Sequence, residues 1–139
     1  MCIRDSNMAT TIAQLTLTSS DLLSDTLELT TLASIVAPHT GGLSRSSVTS
    51  TAIGTASGQV TVDTADTFAS PNFIYVKNTA DFHASNNVVY GYFNGQSGHS
   101  LQLHGGQFAY IPSSGDFTLK FYTSTSGTVI EHMVIGTNA

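Results

Sequence analysis

The chain has 139 residues, enough for one domain that buries roughly two thirds of its unfolded surface. Lys plus Arg number 4 against 9 Asp plus Glu, and a formal charge of -5 leaves no basic stripe for a run of phosphates, which argues against nucleic-acid binding. Ser and Thr supply 38 residues and charged types only 9%, so the polar surfaces are hydroxylated more than ionised, a mix that favours strands and adhesive faces.

Met1 to Asn7 reads as a non-native leader, because a second start at Met8-Ala9-Thr10-Thr11 opens a Thr-rich β-pattern at once. The string Met-Cys-Ile-Arg-Asp-Ser resembles a translated adapter leader. Residues 8–139 are then expected to form a single β-sandwich domain. The lone Cys2 offers neither an intrachain disulfide nor a thiol pair for zinc, so packing must hold the fold. Apolar runs fall well short of the ~18 residues of a membrane helix, and no apolar signal region opens the chain; the expectation is no membrane partner.

From Thr11 to Thr18, Ile12, Leu15 and Leu17 stand among Thr residues and predict a first strand with one apolar face. Ser19 to Leu23 reads as a turn, since no 3.6-residue apolar period continues past Leu23. Thr26 to Ala33 is the second strand. Pro38-His39-Thr40-Gly41-Gly42 predicts a loop, with Pro fixing its own backbone and the glycines tolerating positive φ. Leu43 to Ile53 carries sparse apolar residues among Ser and Thr, as an edge strand does.

Gln59 to Val62 is a short strand and Asp63 to Thr67 a polar turn. The β-signal strengthens at Phe73-Ile74-Tyr75-Val76. It recurs at Val88 to Phe93, Ser100 to Leu103, Gln107 to Ile111, Phe117 to Thr123 and Thr128 to Ile135. Nine or ten short strands separated by Gly, Asn and Ser turns predict an all-β fold: an antiparallel β-sandwich, jelly-roll-like. In Phe117 to Tyr122, alternation turns residues 117, 119 and 121 inward and Lys120 and Tyr122 outward. In Thr128 to Ile135 either register buries a polar group, Glu131 with Val129, Met133 and Ile135, or His132 with Ile130 and Val134. Both faces of that strand must be partly covered.

Chemistry-bearing patterns are sparse. His99, His104 and His132 are the candidate metal ligands if their strands converge, and Gly105 to Pro112 resembles the Gly-to-Pro strand of cupin barrels. Cupins, however, set two ligating histidines one residue apart with a Glu close behind, and four residues separate His99 from His104; the expectation is no metal and no cofactor. No Gly-x-Ser-x-Gly elbow marks a nucleophile, and the acids cluster at turns, so no catalytic residue is assigned. A carbohydrate-binding, lectin-like jelly roll using tyrosine faces is the alternative, with a cupin-like metal protein behind it.

Across Asn72 to Gly136 the order of features resembles small virion proteins of tailed bacteriophages, particularly marine ones. Phe73-Ile74-Tyr75-Val76-Lys77-Asn78-Thr79 is similar to their hydrophobic strand ending in a Lys-Asn-Thr turn. Leu101 to Pro112 is similar to their turn before an aromatic strand closed by Pro, with Gly105-Gly106-Gln107 where relatives often carry Pro-Gly-Glu. The resemblance implies a non-enzymatic capsid decoration or other minor head or tail protein. It also implies a homo-oligomer in the virion, assembled in the host bacterial cytoplasm and partnered with the major capsid or another virion protein. Tyr90, Tyr92, Tyr110 and Tyr122 are the expected outward contact residues.

Overall fold

A computed structural model describes residues 10–21, 24–36, 38–40, 42–54, 57–63, 68–81, 87–93, 95–113 and 118–138, with 10–11, 35–36, 38–40, 63, 68–72, 113 and 137–138 described by backbone alone. The expected leader and Phe117 lie outside the described residues, as do residues 64–67 of the expected polar turn. The chain divides into two compact units, Met1–Pro38 and His39–Ala139.

The first unit holds two strands, β1 (Thr10–Ser19) and β2 (Leu27–Val36), paired antiparallel in unbroken register from Thr10↔Val36 to Ser19↔Leu27. Both run longer than the sequence pattern suggests, because ladder pairing carries β2 through Ser34, Ile35 and Val36 after the alternation fades.

Nine further strands follow: β3 (Pro38–Thr40), β4 (Ser44–Val48), β5 (Val60–Asp63), β6 (Phe68–Asn78), β7 (Val89–Phe93), β8 (Leu101–Leu103), β9 (Phe108–Ser113), β10 (Thr118–Thr123) and β11 (Thr128–Asn138). They form a four-stranded sheet ordered β5-β10-β7-β8 and a five-stranded sheet ordered β3-β11-β6-β9, with β4 also paired to β11. From β4 onward the chain changes sheet at every connection except β7 to β8. The interleaved orders β4-β11-β6-β9 and β5-β10-β7-β8 are those of a jelly roll built from two Greek keys. The fold is therefore the all-β antiparallel sandwich that the strand spacing predicts.

One expected loop is a strand. Pro38 is the first residue of β3, the edge strand of its sheet, a position where proline is tolerated. The break falls instead between β3 and β4, where Gly42 takes φ +97. The expected edge strand across Leu43 to Ile53 shortens to β4, whose Val48 is fully buried while Ile53 sits in a turn.

Alternation builds the core. Val48, Ile74, Val76 and Ile130 from the five-stranded sheet meet Val62, Val89, Leu103, Leu119 and Phe121 from the other. Every second residue of β10 faces inward, so Leu119, Phe121 and Thr123 are fully buried. Gly91 lies opposite Phe121, and a side chain there would come within 3.0 Å of the Phe121 ring, which explains a glycine in mid-strand. In β11 the inner row is Ile130, His132 and Val134, set beside Asn78, Val76 and Ile74. Glu131 and Met133 lie on the outer row with Ile135, which is nevertheless buried, so this strand is covered on both faces at that end.

Candidate functional site

The same alternation that turns Val89, Gly91 and Phe93 inward turns Tyr90 and Tyr92 outward on β7, beside outward Lys120 and Tyr122 on β10. Tyr90 and Tyr122 are direct cross-strand partners, stacked with centroids 5.1 Å apart. Tyr92 meets Tyr122 edge-on at 6.0 Å, and His99 covers Tyr90 at 4.6 Å. Two hydrogen bonds fix these rings: the Tyr92 hydroxyl donates to Gln59 Oε1 at 2.8 Å, and His99 Nδ1 lies 3.1 Å from the Tyr122 hydroxyl. Burial, then the neighbouring Tyr90 and Tyr92 hydroxyls, push the Tyr122 phenol above its ordinary range. Tyr92 is itself buried at 5% exposure, against the expectation of an outward contact, because its ring is covered by Tyr122 and tied to Gln59; Tyr90 and Tyr122 are the partly exposed rings of the cluster.

Tyr110 stands apart from the other three expected contact residues. It lies on β9 in the five-stranded sheet, stacked on Phe73 at 5.1 Å and opposite Tyr75 in the ladder. Around it the outer face carries Phe73, Tyr75 and Met133, with Phe108 58% exposed at the strand end. Tyr75, one of the tyrosines of the carbohydrate-binding alternative, and Phe108 join this face without being among the expected contact residues. For Tyr75 the signal was present, since it alternates with buried Ile74 and Val76.

Polar contacts knit this second face together. The Tyr75 hydroxyl donates to Glu131 Oε1 at 3.0 Å, while exposed Arg45 bridges Glu131 Oε2 at 3.1 Å. The Tyr75 hydrogen bond, followed by that from Arg45, holds the Glu131 carboxyl below the usual range. Burial first, then the bond to Glu131, raises the Tyr75 phenol.

The three candidate histidines occupy different surroundings. His99 belongs to the tyrosine cluster, and His104 Nε2 sits 3.1 Å from Gln102 Nε2 near the end of β8. His132 lies in the other sheet on the inner row of β11, 3.1 Å from the Ser46 hydroxyl, with burial holding its imidazole below the ordinary range. Among the described residues no three His, Cys, Asp or Glu side chains come together as a metal site. A recess of about 260 Å³ near the start of β11 is lined by Thr79, Ala80, Asn87, Ser126, Gly127, Thr128 and Val129, and none of these carries an acid, a base or a thiol.

No family model matches the sequence, and no curated protein matches it.

Proposed function

We propose that this chain is a non-enzymatic structural protein of a tailed-bacteriophage particle, a capsid decoration protein or another minor head or tail component. In this reading it acts by protein contact with the major capsid or another virion protein, and its place is the virion, assembled in the host bacterial cytoplasm. The observation that carries the reading is the aromatic outer character of both sheets of one jelly roll. Partly exposed Tyr90 and Tyr122, backed by buried Tyr92, lie outside one sheet, and Phe73, Tyr75, Phe108 and Tyr110 outside the other. Rigid aromatics contribute contact area at small entropic cost, which suits a body surrounded by neighbours. Repetition over a lattice then converts a weak single contact into firm attachment.

Mass spectrometry of purified particles tests the proposal, with the chain expected at a fixed ratio to the major capsid protein. Particles without it would end this reading. Within it, Tyr90→Ala with Tyr122→Ala weakens rebinding to emptied capsids about tenfold or more, as loss of a contact hot spot does.

A second reading has its own observation. The clustered rings of Tyr90, Tyr122 and His99, flanked by the amides of Gln59 and Gln102, also suit a carbohydrate, the ligand class of lectin jelly rolls. Glycan-array binding lost on Tyr90→Ala or Tyr92→Ala supports that alternative, and a blank array from the unaltered chain removes it.

A further inference from the structure

The N-terminal unit exposes what a folded chain ordinarily hides. In the β1–β2 ribbon Leu17 pairs with Leu29 and Leu15 with Thr31, which gathers the three leucines on one face at 40 to 45% exposure. Ile12 and Leu32, on the opposite face, are 65% and 64% exposed. A two-stranded ribbon is marginal in water without further cover. Among the described residues β1 and β2 pair only with each other, so each leaves one edge open. Proteins protect long free edges with lysine, proline, bulges or short strands, whereas β1 and β2 each run ten residues in unbroken register with no proline and with Glu28 as their one charged residue. The other acids of the ribbon, Asp21 and Asp25, sit with Glu28 at its tip, and no cation lies between Thr10 and Val36.

We propose that β1 pairs edge to edge, antiparallel, with β1 of a second copy of this chain, making a four-stranded sheet β2-β1-β1-β2 across a two-fold axis. The charge layout selects both strand and direction. β1 is wholly uncharged, while β2 carries Glu28. Parallel pairing would crowd both acidic tips together with no cation to offset them, and antiparallel pairing sends them to opposite ends. Side-chain parity also fits a two-fold centred on Thr16. Leu15 then meets Leu17 of the second copy, which keeps the leucine face continuous, and Gln14 meets Thr18 on the other face. An interface between identical surfaces of this kind closes on itself and stops at two chains per contact.

The pairing does not rest on the virion reading. A chain that associates through β1 yet is missing from particles keeps this inference and discards the other. The test is light scattering of the full chain under reducing conditions across a concentration series. At least a dimer is expected, with association weakened about tenfold or more in Leu15→Glu with Leu17→Glu. All five tyrosines lie beyond Pro38, so their near-ultraviolet circular dichroism verifies that the second unit of the variant is still folded. Geometry is read separately in a Cys2→Ser background. Thr16→Cys cross-links on mild oxidation, because paired Cα atoms about 5 Å apart suit a disulfide, whereas Ser24→Cys at the tip does not. A monomer at every concentration overturns the proposal, as does an unchanged mass in the double variant or cross-linking through Ser24→Cys as ready as through Thr16→Cys.

Discussion

The side-chain amide of Asn78 donates to the carbonyl oxygen of Leu103 at 2.9 Å, joining the last residue of β6 in one sheet to the last residue of β8 in the other. The same nitrogen reaches the Asn87 carbonyl at 2.6 Å, and the side-chain oxygen accepts from the Ala80 N–H at 3.0 Å. Asn78 is fully buried, and its main chain exchanges bonds with Gln107 and Gly106. One residue thus fastens three chain segments at the mouth of the sandwich. A turn residue by its sequence setting is a core residue by its surroundings.

Replacing Asn78 with Leu keeps the branched outline of the side chain at greater volume and strands two carbonyl oxygens and one N–H. A loss of about 2 to 4 kcal/mol is expected in urea unfolding, given ~1 to 3 kcal/mol for the buried bond to Leu103 and less for the part-buried ones to Asn87 and Ala80. Asn78→Asp costs at least as much, because a carboxylate would face two carbonyl oxygens. Equal midpoints for the unaltered chain and Asn78→Leu would show that the clamp contributes nothing.

Phe121 and Lys120 are neighbours in sequence with opposite surroundings. Phe121→Ala empties the centre of the core and is expected to cost about 3 to 5 kcal/mol, whereas Lys120→Ala stays within about 0.5 kcal/mol. Thermal or urea unfolding of the two variants side by side checks the contrast.

Three glycines separate lack of space from backbone strain. A side chain at Gly105 would collide with the Asp81 carbonyl oxygen, so Gly105→Ala must displace backbone and destabilises most. Gly95 has open space but φ +87, and Ala there costs about 1 to 2 kcal/mol. Gly98 has neither obstacle, so Gly98→Ala is neutral or slightly stabilising. Melting temperatures ordered Gly105→Ala, Gly95→Ala, Gly98→Ala from lowest to highest verify the ranking.

Acid acts on β11 in two windows. His132 is held below its ordinary value by burial, so the unfolded chain binds that proton more tightly. Stability is complete above about pH 6.5 and declines as pH falls toward the depressed folded value. Glu131 is also depressed, chiefly by Tyr75, so its contribution is present above the ordinary carboxylate range and is lost at lower pH, as the solution passes through its folded value. His132→Gln should flatten the urea midpoint between pH 7.5 and 5.5. Tyr75→Phe should leave that window alone and make the lower limb shallower, because the Glu131 carboxyl then differs less between folded and unfolded chains. An unchanged slope in His132→Gln would remove the histidine from this account.

Period-two alternation made strands legible, most plainly in β10, where the residues that face the core recur at every second position. Composition made the class legible too, since threonine-rich runs between glycine and asparagine turns leave an antiparallel sandwich as the economical fold. Which strands are neighbours was decided in three dimensions: β10 lies between β5 and β7, and β11 between β4 and β6, through pairings of residues far apart in the chain. Those pairings separate Tyr110 from Tyr90, Tyr92 and Tyr122, and His132 from His99 and His104. They also make Pro38 a strand residue and Asn78 a buried clamp. The physical reason is that side-chain alternation is a local consequence of backbone pleating, whereas the partner of a strand is chosen by the collective packing of nine core side chains drawn from both sheets.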